Sequence, residues 1–199
     1  MTRSGSSMYH SGSRVLQAAF GSTALADRLE EKLHHTAFTD DDKAFIENAP
    51  FFLLATSDGE GRPDCSFKGG LPGFVRIAAP DLLMFPDYDG NGMFRSLGNI
   101  TVNPYVGLLF MTMGAAPKRL RVNGRAALSL DDPVMASFAG AQAIIRVTPE
   151  HIFPNCPRYI PDLATDTPSH YAPRPDEAPV EPGWKSSDSF KDVVPPRKA

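Results

Sequence analysis

KRLRVNGRAALSL, residues 118–130, decides the fold. Leu120, Val122, Ala126, Leu128 and Leu130 fall on one side of a period-two alternation, and Arg119, Arg121, Asn123 and Arg125 on the other. The stretch therefore reads as a strand with an oily face and a basic face. Just upstream, YVGLLFMTM (105–113) is apolar on both faces, as a strand is when it lies between a barrel interior and another subunit. AIIRVTPEHIF (143–153) supplies a further strand. Before them, FFLLAT (51–56), DCSFK (64–68), FVRIA (74–78) and DLLMFPD (81–87) read as short strands separated by Gly, Pro and Asp turns. Six or seven strands in about 100 residues predict a mainly β fold, with enough strands to close a small barrel and remove its exposed edges.

Helices flank this region. Leu25, Leu29 and Leu33 recur at four-residue spacing among charged neighbours, which predicts an amphipathic helix. Thr39 and Asp42 stand in capping-box relation at the start of a second short helix, a box weakened by the shortness of Asp relative to Glu. That helix stops near Pro50. Eleven of the 19 prolines fall between Pro149 and Pro196, around a polar run from Asp162 to Glu181, so the C-terminal quarter reads as an extended arm anchored by Tyr159, Ile160, Trp184 and Phe190.

The composition narrows the function classes. Twenty Lys and Arg against 23 Asp and Glu give a net charge of −3, which offers no phosphate-backbone field for nucleic acid. No run approaches the roughly 18 apolar residues of a membrane helix. The N-terminal MTRSGSSMYHSGSR lacks an export-type hydrophobic stretch, so a cytoplasmic location is expected. Cys65 and Cys156 are expected to stay reduced there, Cys65 as a small hydrophobe and Cys156 in a turn. His34 and His35 are adjacent, lack a third ligand and read as solvated side chains, so no metal site is expected.

The chemistry-bearing segment is FPDYDGNGMFRSLGNITVNP (85–104), which runs strand, glycine-punctuated loop, short helix, helix stop. Asp87, Asp89, Asn91 and Gly92 match the opening of an EF-hand calcium loop, but the twelfth position is Gly98 and the ninth is Arg95, whose cation repels a metal. The opposite reading is an anion site, with Arg95 and Ser96 just inside the helix and Lys68 and Arg119 on neighbouring strands. On spacing alone, these arginines serve equally well as solvated surface charges.

DCSFKGG (64–70), LLMFPDYDGNGMFRSLGNI (82–100), NPYVGLLF (103–110), RLRVNGRA (119–126) and NCPRYI (155–160) together resemble the pyridoxamine 5′-phosphate oxidase-like, FMN-binding split-barrel family. The resemblance implies a split β-barrel homodimer with FMN at the subunit interface. It implies that Cys65, Ser66, Phe67 and Lys68 line the flavin, that Arg95 and Ser96 take its phosphate, and that Arg119 lies near the ring. Asp87, Asn91 and Met93 would shape the surrounding loop. The implied organisation is an N-terminal helical extension (1–50), a split-barrel flavin-binding domain (51–161) and a Pro-rich arm (162–199). The chain departs from pyridoxamine oxidases proper in its longer, Gly- and Asp-rich loop before Arg95 and in lacking their Arg-rich C-terminal end, which leaves the substrate unidentified.

The expected function is an FMN-dependent oxidoreductase acting on a small molecule or electron donor, with no single side chain singled out as catalytic because the cofactor carries the chemistry. The alternatives are a flavin-storing or flavin-sensing protein, or a split barrel holding haem or a deazaflavin.

Overall fold

The structure is a computed structural model that describes residues 7–172 and 180–195. Parts of the expected arm, residues 173–179 and 196–199, lie outside the described residues, as do residues 1–6 of the N-terminal stretch.

Seven antiparallel strands form one sheet: β1 (Phe51–Ser57), β2 (Pro63–Gly69), β3 (Arg76–Ala79), β4 (Leu82–Tyr88), β5 (Tyr105–Met111), β6 (Arg119–Ser129) and β7 (Ala141–Pro154), in the order β2-β1-β5-β6-β7-β4-β3. The ladder does not close. β2 and β3 remain its two edges, which corrects the expectation that barrel closure removes them. The sheet instead curls until β1 meets β4 through side chains: the ring of Phe52 lies 4.9 Å from that of Phe85, and it also contacts Phe74 and Phe110. All four rings are buried, and each contributes roughly 2–3 kcal/mol by leaving water. This architecture is a mainly β split barrel with flanking helices.

β6 shows why the pattern was decisive. Leu120, Val122, Gly124 and Ala126 are buried, while Arg121, Asn123 and Arg125 are exposed. The alternation survives a register shift between Asn123 and Gly124, where β6 meets β7. A Cβ at Gly124 would sit 2.2 Å from the Thr148 carbonyl oxygen, so only glycine permits that approach. Leu130 departs from the expectation: it lies past the strand end and is 70% exposed. On β5, Val106, Leu108 and Phe110 fill the core. The opposite face is only half-covered, and Tyr105 is exposed with Arg125 over its ring, so burial on both faces is not achieved within this chain.

α1 (Ser11–Ala19) and α2 (Thr23–Leu33) precede α3 (Asp40–Glu47), which inserts Ile46 into the same core as the strands. The capping box on α3 forms in full despite the short Asp42 side chain. Asp42 Oδ2 accepts from Thr39 N at 2.9 Å and from Thr39 Oγ1 at 2.7 Å, while Asp42 N donates to Thr39 Oγ1. His35 and His34 are not free in solvent, as their adjacency had suggested. His35 exchanges backbone bonds with Ile152 on β7 and donates Nε2–H to Asp42 at 2.8 Å, and His34 lies 2.9 Å from a ring nitrogen of His151.

Of the expected arm anchors, Trp184 and Phe190 meet edge-on at 5.5 Å, Ile160 borders a second cavity and Tyr159 is exposed. The arm returns to α2, where Arg28 pairs with Asp192 and donates to the Ser189 carbonyl. No helix among the described residues is long and apolar enough to cross a membrane.

Candidate functional site

A cavity of about 440 Å³ opens where the curled sheet fails to close, between edge strand β2, the end of β4 and the start of α4 (Arg95–Val102). That volume suits a small-molecule or cofactor site. Alternation along β2 turns Asp64, Ser66 and Lys68 to one face, half-buried, and leaves Cys65 and Phe67 exposed on the other. Each of the three inward groups reaches across the split. Asp64 takes bonds from Arg95 and Ser96, Ser66 Oγ lies 2.9 Å from Ser96 Oγ, and Lys68 Nζ donates to Asp87 Oδ1 at 3.3 Å. Ladder hydrogen bonds join β2 to β1, and polar side chains alone join it to β4 and α4 across the split.

The loop into α4 sets the other wall. Phe94, the residue before the helix, has φ 49°, a left-handed conformation that costs a phenylalanine of the order of 1 kcal/mol or more. Asn91 Oδ1 accepts from Met93 N at 3.0 Å, and Phe94 O accepts from Gly98 N at 2.7 Å, which holds the bend. The bend delivers Arg95 and Ser96 to β2. Asn99 and Asn103 then tie α4 to β1 through Thr56 and Ser57, so Asn99 serves packing.

Asp87 is buried and doubly engaged, accepting from Lys68 and, on its other oxygen, from Gln142 Nε2 at 2.9 Å. Those bonds occupy the carboxylate that the calcium-loop pattern would need. Arg95 is 61% exposed on its side chain, with one long bond of 3.4 Å to Asp64, so its remaining N–H groups are available to a ligand. Ser96 is buried beside it. Phe74, Met93 and Phe94 supply apolar surface around these polar groups, while the ring of Phe67 stacks on Phe51 on the outer face of β2.

The structure brings Cys65, Ser66, Phe67, Lys68, Asp87, Asn91, Met93, Arg95 and Ser96 to this one cavity. Arg119 stands apart. It begins β6 opposite Met111, and its guanidinium donates to the Cys156 carbonyl; burial, then the neighbouring Arg121, lower its pKa. Cys65 and Cys156 are both free thiols. Sequence reasoning missed Asp64, Gln142, Phe74 and Phe94. Asp64 had a legible signal, since it shares the period-two face with Ser66 and Lys68. Gln142 arrives from β7, far along the chain, and Phe74 from the turn after β2, and neither carried a chemical signal.

Comparison with solved structures finds remote likenesses. A Lactobacillus delbrueckii protein described as a pyridoxamine 5′-phosphate oxidase is 21% identical over 60% of this chain and 95% of its own, with a TM-score of 0.49. HupZ of Group A Streptococcus is 18% identical over 66% of this chain and 98% of its own (TM-score 0.47). HutZ of Vibrio cholerae, a heme storage protein, is 20% identical over 55% and 87% (TM-score 0.42). No curated protein matches the chain. The profile described as Pyridoxamine 5′-phosphate oxidase matches residues 38–156, a span that runs from the α3 cap through every strand and the whole cavity to Cys156. By that match over more than half its length, the chain belongs to the pyridoxamine 5′-phosphate oxidase family.

Proposed function

We propose that the cavity at the split binds FMN and that the protein is an FMN-dependent oxidoreductase acting on a small molecule. One observation carries this reading: a serine hydroxyl pair and an exposed arginine at the start of α4 share one cavity with a lysine and an apolar wall. Such a donor set suits a phosphate ester at one end and a flat heterocycle at the other. When bound, the flavin supplies the transfer of hydride or electrons. The chain's residues do the rest. Arg95, Ser66 and Ser96 hold the phosphate, Asn91 and Phe94 keep the loop that presents them, and Lys68 keeps positive charge beside the ring. The second wall of Cys65, Phe67 and Met93 is exposed and suits burial by another copy of the chain. Arg119 enters this reading only from such a partner, in a homodimer with the flavin between subunits. The 51–161 barrel is then the flavin-binding unit, with 1–50 and 162–199 as flanking segments.

The test is direct titration of purified protein with FMN, followed by flavin fluorescence, with Arg95→Ala alongside. Saturable FMN binding that the variant weakens supports the reading, and equal binding by both removes it. Reduction of bound flavin by NADH or NADPH with rapid reoxidation separates turnover from storage.

A further inference from the structure

The two groups best placed to grip a phosphate are already held by a carboxylate of the same chain. Asp64 Oδ1 accepts from Arg95 Nε at 3.4 Å and Oδ2 accepts from Ser96 Oγ at 3.2 Å. Ser96 is also in contact with Ser66, so Asp64 engages one end of the hydroxyl pair and one edge of the guanidinium. Lys68 cannot offset a second anion there without loss, because its charge is matched by buried Asp87. The charged groups lining the cavity are Lys68 and Arg95 against Asp64, Asp87 and Asp89, an acidic surplus in a place read as an anion site.

We propose that Asp64 is a specificity-determining residue of this cavity: its carboxylate occupies the anion position between Arg95 Nε and Ser96, and a phosphate monoester gains that position, beyond the outer N–H groups of Arg95, only by displacing it. This rests on the flavin reading for the identity of the ligand, and on the geometry alone for the competition. A dianion entering beside Asp64 meets like charge at short range and reaches Ser96 and Arg95 Nε only by taking over both of its bonds. Ligands without phosphate do not. The cavity therefore binds the phosphorylated flavin more loosely than its donor set permits, which suits a cofactor that exchanges.

Asp64→Asn tests the idea, since the amide keeps the size and still accepts from Ser96 while losing the charge. Asp64→Ser is the second variant should the first fail to fold, as judged by thermal melting. The probes are FMN, riboflavin and inorganic phosphate, titrated by calorimetry. The expected result is an FMN affinity raised about tenfold or more, with riboflavin changed by less than about twofold. Asp89→Asn, which removes a lining carboxylate that takes no part in the Arg95–Ser96 cradle, should raise FMN affinity by no more than about threefold. An unchanged or weaker FMN affinity in Asp64→Asn overturns the proposal and makes Asp64 a positioning group for Arg95. Equal gains for FMN and riboflavin, or an equal gain from Asp89→Asn, overturn it too. If no flavin binds any form, the flavin reading falls, and phosphate alone decides: tighter phosphate in Asp64→Asn upholds the competition, and no change ends it.

Discussion

Asp42 and Asp64 each gather a basic side chain and a hydroxyl, in surroundings that differ. Asp42 is buried between α3 and the chain entering it, and its Oδ2 takes three short bonds, from His35 and from both donors of Thr39. No cavity opens onto it among those described. Asp64 is half-buried on an edge strand, and its bonds are long. Its basic partner is mostly exposed and faces a 440 Å³ space. The first cluster has used up its hydrogen-bonding capacity on the fold, whereas the second holds donors in reserve. An acid–base pair signals function by its unspent donors and its adjoining space, rather than by being an ion pair.

If that distinction holds, the two clusters should fail in opposite ways. Asp42→Ala removes the cap acceptor of α3 and the partner of His35 together, and should cost about 2–3 kcal/mol of stability. Thermal denaturation would show this as a fall of roughly 5–10 °C. FMN affinity, measured well below the transition, should be unchanged, and a loss of binding comparable to the loss of stability would erase the contrast.

Arg95→Ala should do the reverse. A charge-assisted bond to phosphate contributes about 1.5–3 kcal/mol, so FMN affinity should fall about 10- to 150-fold. Its exposed 3.4 Å pairing with Asp64 contributes little to the fold, and the melting temperature should stay within about 2 °C. A smaller effect of the same kind is expected from Ser66→Ala, which loses one neutral hydroxyl, worth about 1 kcal/mol or fivefold in FMN affinity. Riboflavin binding separates the cases: both variants should spare it, and weaker riboflavin binding would place these residues near the ring instead.

The two clusters also differed in how much of each the sequence revealed. The alternation in β6 and the Thr39–Asp42 spacing depend on neighbours two or three residues away, so strand and cap were both legible. The glycine-spaced bend announced Arg95 and Ser96 as residues at a helix start, and the family resemblance set Ser66 and Lys68 beside them. What stayed hidden was pairing over long separations: Asp64 with Arg95, Gln142 with Asp87, His35 with Ile152, Arg28 with Asp192. Nothing local in residues 34–35 shows that β7 passes alongside, so two structural histidines read as solvated ones. The left-handed Phe94 was equally invisible, because the conformation is imposed by what surrounds the loop and not by the residue's own preference.

The smallest effect tests whether the Asp42 cluster is electrostatic as well as steric. The Asp42 hydrogen bond is the main cause that lifts the pKa of His35 above 6.5, with the charge of Asp42 and the Leu33 carbonyl adding to it and burial opposing. For Asp42 burial pulls upward, but the bonds from His35 and Thr39 outweigh it and leave the carboxyl below 3.8. A raised histidine stabilises the fold fully below its unfolded pKa and stops doing so as pH rises through the folded one. A depressed carboxyl stabilises above its unfolded value and stops as pH falls through the folded one. The pair therefore contributes fully between 3.8 and 6.5 and weakens on the alkaline side as His35 loses its proton. Wild-type protein should lose about 1–3 °C more in melting temperature than His35→Gln between about pH 6 and pH 8.5. His34 and His151 are intact in both proteins, so the difference reports His35 alone. Parallel melting curves would mean that Asp42 serves the helix cap only, and that its ion pair with His35 adds nothing to the fold.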